Sequence, residues 1–268
     1  MTDVWFTTRG GLHAICCSVA EDLRINGTVG QATGMPRTNR LFESLAPAAR
    51  ERLRPHIELV TLARGRILCE PGDVPRFAYF PLDSMVSLLG TTEEGYALEV
   101  ATAGSEGFVG IPLALNGSVS PYQVMVQMSG AAHRVRGEAF LRECHRCEDL
   151  QSLSLSYAGS VLQQVVQSAV CHAFHPLTPR VCRWLLVNRD GAHANTFEQT
   201  QEFIAHMLGV SRPKVSHALV TLETRGLIHQ GRGRIHIIDP HGLQRASCRC
   251  YRFAHAQIPL QQPLRHAQ

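Results

Sequence analysis

The sequence predicts an α+β protein: a jelly-roll-like β-domain, then one long helix, then a small C-terminal domain of helices closed by a β-hairpin. Three observations carry this. Short β-rich runs between Glu58 and Gly137 are punctuated by Gly and Pro, the pattern of a barrel, jelly roll or sandwich. Residues 138–172 return to helical spacing. Thr200–Asp239 then reads helix, glycine turn, helix, strand, tight turn, strand.

The 268 residues are enough for about two domains. With 44% hydrophobic and 18% charged residues, the chain has ordinary globular composition, which excludes collagenous and wholly disordered readings. No apolar run reaches the roughly 18–20 residues that a membrane span requires. The apolar stretch Leu12–Ala20 is short, contains Cys16 and Cys17, and lacks a convincing cleavage site, so a cytoplasmic protein is expected. Nine cysteines without a secretory leader argue against a disulfide framework.

Taken in order, residues 1–35 show no sustained period and read as a disordered extension, or as the product of a start codon placed too early, with Met35 the true start. Asn39 to about Ile57 is helical in pattern, with Pro47 opening a second turn. Strands are expected at Leu59–Leu62, Phe77–Phe80, Met85–Leu89, Ala97–Ala101, Gln123–Met128 and Ala132–Val135. In the following helical stretch, Leu155, Ala158, Leu162, Val165 and Ala169 step by three and four residues, the seam of two helices packed lengthwise. The same stripe could instead cover the chain's own β-domain. A further helix is expected over residues 179–189.

The most specific segment begins at Thr200, which can cap a helix over Gln201–Leu208. Gly209 stands where a sharp turn needs positive φ. Ser211 is placed to cap a second helix, with Pro213 in its first turn, where a missing N–H costs little. Val215, Ala218, Leu219 and Leu222 share one side of that helix and are expected to be core. The other side shows Arg212, Pro213, Lys214, Ser216 and His217. Arg212 could fork onto a guanine edge or grip a phosphate, His217 could donate to a base acceptor, and Lys214, the chain's single lysine, suits phosphate. Beyond it, alternation around Gly231-Arg232-Gly233-Arg234 reads as a hairpin wing whose Arg232 and Arg234 would meet backbone phosphate.

Charge agrees with that placement. Residues 1–175 hold 14 Arg against 17 acidic residues, a balance of −3. Residues 176–253 hold 10 Arg and one Lys against 5 acidic residues, a balance of +6, and Arg265 completes the net +4. A basic C-terminal unit on a mildly acidic body suits a polyanionic partner.

At this point the chain resembles the Crp/Fnr family of bacterial transcription regulators. The resemblance covers about residues 39–253 and rests chiefly on Thr200-Gln201-Glu202-Phe203-Ile204-Ala205, Met207-Leu208-Gly209-Val210-Ser211-Arg212 and Gly226-Leu227-Ile228. Glu70-Pro71-Gly72-Asp73 and Tyr79-Phe80-Pro81 are similar to that family's cyclic-nucleotide-binding-like β-roll. The stretch Cys171…His175…Arg180…Arg183-Trp184 and the ending Cys248-Arg249-Cys250-Tyr251 are similar to a subgroup.

The resemblance implies a β-roll sensor domain over residues 36–147, a dimerisation helix and hinge over 148–175, and a winged helix-turn-helix DNA-binding domain over 176–253; residues 254–268, beyond it, are expected to be a flexible tail. It implies a homodimer on a pseudo-palindromic double-stranded operator, with RNA polymerase as a further partner and no membrane contact. Thr200 and Gln201 join the expected DNA-contacting residues.

The signal is harder to read. Cyclic-AMP-binding relatives hold the phosphate with an arginine, whereas Gly117–Val124 here contains none, and no Lys or Arg occurs between Phe77 and His133. Since burying an anion without a cationic partner is costly, cyclic AMP is not the expected ligand. Cys144-His145-Arg146-Cys147 is a candidate thiol switch, because the flanking His145 and Arg146 could lower a thiol pKa. Cys248 and Cys250 with Cys171, His172 and His175 could form a metal site only if folding brings them together. Incidental spacing of buried cysteines is the plainer reading, so neither a metal nor a cofactor is assigned. A cupin-like enzyme lacks its ligands, since residues 57–132 contain no histidine. No P-loop, dinucleotide fingerprint or Gly-x-Ser-x-Gly is present either, so catalysis is not expected.

Overall fold

A computed structural model describes residues 38–254. The expected N-terminal extension, with Cys16, Cys17 and Met35, and all of the C-terminal tail except Ala254 lie outside the described residues. The Asn39–Ile57 stretch divides. Asn39 caps α1 (Arg40–Glu43), its side chain accepting from Phe42 N–H at 2.8 Å, and Pro47 opens α2 (Pro47–Leu53). A 3-10 turn at Arg54–His56 follows, and Ile57 already belongs to a strand.

Among the described residues, seven strands build the β-domain: β1 (Ile57–Leu62), β2 (Ile67–Cys69), β3 (Phe77–Pro81), β4 (Met85–Thr91), β5 (Ala97–Ala103), β6 (Gln123–Met128) and β7 (Gly130–Arg136). All pairings are antiparallel, in two sheets ordered β1-β7-β3 and β2-β6-β4-β5. Strand β2, only three residues long, was not legible as a strand in the sequence. Leu62, Cys69, Tyr79, Val86, Val109, Val124, Val126 and Ala132 form one buried cluster drawn from both sheets. A one-turn helix, α3 (Ile111–Ala114), lies between β5 and β6.

The expected helical stretch over 138–172 is two helices, α4 (Gly137–Arg146) and α5 (Glu148–Phe174). Cys147 between them is extended, with φ −131° and ψ 102°. Leu150, Ser154, Tyr157, Val161, Ser168 and Cys171 form the buried side of α5. Tyr157 enters the β-domain core with its ring 5.2 Å from Phe108, and a Cβ at Gly107 would overlap its hydroxyl.

After Pro176 come α6 (Leu177–Ala192), β8 (Thr196–Glu198), α7 (Gln201–Leu208), α8 (Arg212–Thr224), β9 (Ile228–Gly231), β10 (Arg234–Ile237), α9 (Pro240–Ala246) and α10 (Tyr251–Ala254). β8, β10 and β9 form a third antiparallel sheet in that order. The core of this half contains Trp184, Leu185, Ile204, Leu208, Val215, Leu219, Leu222 and Ile235, and it continues into Leu89, Ala97 and Met125 of the β-domain. The two halves therefore share one buried apolar cluster.

Candidate nucleic-acid interface

Helix α7 begins where Thr200 Oγ1 accepts from Phe203 N–H at 3.1 Å. It ends at Gly209, whose φ of 61° is left-handed, and Val210 N–H closes back onto Ala205 O at 3.0 Å. Only glycine suits the position: the backbone is in the αL region, and an added Cβ would stand 3.1 Å from Leu98 of β5. Ser211 occupies the N-cap position of α8, but its side chain makes no capping hydrogen bond, a correction to the expected role.

Val215, Ala218, Leu219 and Leu222 are the buried residues of α8. About 100° per residue turns the other side outward. Arg212, Pro213, Lys214 and His217 are exposed, and Ser216 is half-buried. Arg180 of α6, itself buried, donates from Nη2 to Leu208 O at 2.7 Å and satisfies a carbonyl at the end of α7. The sequence offered no signal for that role.

The wing is the β9–β10 hairpin. Arg232 (φ 50°) and Gly233 (φ 76°) are both left-handed, as a two-residue type I′ turn requires. Both Arg232 and Arg234 are exposed. Arg234 is also engaged with Glu198 of β8, its Nη2 standing 2.9 Å from Oε1. Gln201 is partly committed as well, donating to Gln230 Oε1 on the wing at 3.0 Å. Thr200, Arg232 and Arg234 line a shallow concavity together with Arg64 from the β1–β2 turn.

Residues 179–246 match the family model of the Crp-like helix-turn-helix domain. The chain carries a Crp-like helix-turn-helix domain. Its fold is that of the Crp/Fnr-type transcription regulators, and three solved structures illustrate the likeness. A proposed Crp/Fnr-family regulator from Eubacterium rectale ATCC 33656 has a TM-score of 0.62 at 15% identity, over 77% of this chain and 96% of that one. FixK2 from Bradyrhizobium japonicum has a TM-score of 0.61 at 14% identity, over 72% and 98%. TTHB099, a Crp-family regulator from Thermus thermophilus, has a TM-score of 0.59 at 19% identity, over 70% and 96%. No curated protein matches the chain by sequence. The mixed α+β architecture, with a β-sheet domain ahead of long helices and the Crp-like domain, is the one expected.

The expected helix seam is redrawn around the Crp-like architecture. Leu155, Leu162 and Ala169 are exposed, but Ala158 and Val165 are half-buried against the β-domain core. Those two lie at the flank of Tyr157 and Val161 on the helical wheel, so they face partly inward. The exposed apolar row runs through Leu155, Leu162, Val166, Ala169 and Val170.

The expected thiol switch is overturned. Cys144 and Cys147 are both buried in the β-domain core, while His145 and Arg146 are exposed. Burial pushes the Cys144 thiol up to about 12, which disfavours the thiolate. Folding does gather the other candidates. Ligand atoms of Cys171, His175, Cys248 and Cys250 lie within 4.8 Å of one another, whereas His172 turns its Nδ1 to Ser168 O at 2.7 Å.

Proposed function

We propose that the protein binds double-stranded DNA sequence-specifically as a homodimer and regulates transcription in the cytoplasm, with RNA polymerase as a further partner. The supporting observation is the exposed face of α8: Arg212, Pro213, Lys214, Ser216 and His217 stand on the side opposite its buried residues, with the Arg232 wing following. In this reading Arg212 and His217 address base edges, and Lys214 and Arg232 address phosphates. Thr200 and Gln201 meet the backbone at the start of α7, and Arg234 divides its charge between phosphate and Glu198. The exposed row on α5 is the face for a second copy, because an apolar stripe at 3–4 spacing suits lengthwise helix pairing. No helix among the described residues is long and apolar enough to cross a membrane.

Selection of bound DNA from a random-sequence pool tests this. The expected product is a two-fold symmetric site with half-sites about one helical turn apart, roughly 34 Å. Salt-sensitive binding that enriches no motif would overturn sequence-specific reading.

A further inference from the structure

The described cysteines are of two kinds. Cys69, Cys144, Cys147 and Cys182 pack among the aliphatic and aromatic side chains of the three large clusters, as small hydrophobes do. Cys171, Cys248 and Cys250 form a buried group of their own, with no aliphatic member. His175 joins them. Cys171 Sγ stands 3.5 Å from Cys248 Sγ, and Cys250 Sγ stands 3.4 Å from His175 Nδ1.

We propose that Cys171, His175, Cys248 and Cys250 bind one zinc-class divalent ion in a four-coordinate Cys3His site. The chemistry of the donors selects the metal. Three sulfurs and one imidazole nitrogen, with no carboxylate among them, suit zinc and are wrong for magnesium or calcium. The size of the group selects one ion. Zinc bonds of about 2.3 Å to sulfur and about 2.0–2.1 Å to nitrogen, set at tetrahedral angles, hold sulfurs about 3.8 Å apart and sulfur and nitrogen about 3.5 Å apart. The 3.5 Å and 3.4 Å separations are close to those edges. A four-iron cluster would spread its ligands roughly 6 Å or more, beyond the 4.8 Å limit of this group.

The surroundings fit as well. Gln167 Nε2 lies 2.9 Å from Cys250 Sγ and donates to it, the outer hydrogen bond that steadies a thiolate ligand. Binding releases the three thiol protons to solvent, and a divalent ion with three thiolates and a neutral imidazole carries a net charge of −1. Arg180 and Arg183 supply the compensating field: Arg183 acts on Cys171 and Cys248, and both sulfurs act on Arg180.

The position gives the ion work to do. Cys171 lies in the last turn of α5 and His175 caps that helix, while Cys248 and Cys250 lie in the segment joining α9 to α10. One ion would pin the end of the long helix to the far end of the Crp-like half, across 77 residues of chain.

The test uses the full chain purified under reductant without added chelator. Expected are about one zinc per chain by elemental analysis and, after exchange into cobalt, the visible bands of a tetrahedral thiolate-rich site. A Cys248→Ser/Cys250→Ser double variant should lose both, whereas Cys144→Ser should keep both. Chelator should lower the Tm of the wild-type chain and leave that of the double variant unchanged. A wild-type chain that takes up neither zinc nor cobalt overturns the proposal even if the variants fail to fold. So does zinc retained by the double variant, or a Cys171–Cys248 disulfide found by mass spectrometry in its place.

Discussion

Thr200 and Gly209 bracket α7, and each acts through a single backbone need. Replacing Thr200 with Ala removes the acceptor for Phe203 N–H and should cost about 1 kcal/mol of stability by urea denaturation. Replacing Gly209 with Ala forces a Cβ into the αL region and against Leu98, and should cost about 1–2 kcal/mol or more in the same assay. Arg212 lies on the exposed side of α8 and is not needed for packing. Arg212→Ala should therefore leave the urea midpoint unchanged and weaken binding of the selected operator by about 1–3 kcal/mol, with relaxed choice at one base position. Uniform weakening on all sequences, with a shallower salt slope, would place Arg212 on phosphate instead.

Among the elements, α5 shows most clearly how one helix is divided between two tasks. Leu150, Tyr157 and Val161 hold it to the β-domain, while Leu162, 62% exposed, and Val166, 57% exposed, face solvent. Leu162→Glu should therefore leave the monomer's thermal transition nearly unchanged, yet shift sedimentation to the single-chain mass and abolish cooperative operator binding. Persistence of a dimer in that variant would remove this row from the interface.

For the whole molecule, the contact between its two halves carries a buried acid. Glu99 of β5 accepts from Ser87 Oγ at 2.7 Å and faces Arg183 and Trp184 of α6. Burial raises its pKa to about 7, against the lowering pull of Ser87 and Arg183. The folded chain then holds a proton that the unfolded chain has already lost between about pH 4.5 and 7, so this group's contribution is full below that window and fades as pH rises through it. Glu99→Gln, which keeps a hydrogen-bonding partner for Ser87, should flatten that slope. Relative to Glu99→Gln, the unfolding free energy of the wild-type chain by urea titration should fall by about 2 kcal/mol between pH 5.5 and 8. Arg64 joins the same halves, donating to Glu198 O and Gln199 Oε1 at 2.8 Å each, with its guanidinium 4.6 Å from the Phe203 ring centroid. Arg64→Ala should speed amide exchange over Thr196–Gln199.

What the residues alone determined is local. Short β-rich runs between Gly and Pro turns marked six of the seven β-domain strands, and helical spacing with a glycine at the turn marked α7, the turn and α8, because these signals depend on neighbours a few residues apart. The three-residue β2 was too short to carry a period, and the break at Cys147 had no Gly or Pro to announce it. Tertiary structure decided what depends on distant partners: which flank of α5 faces inward, that Cys144 is buried while His145 and Arg146 face outward, and that Arg180 caps a carbonyl 28 residues away. It also set Cys171 beside Cys248, since spacing along the chain cannot tell whether two thiols 77 residues apart will meet, and only packing of α5 against the Crp-like half brings them within 3.5 Å.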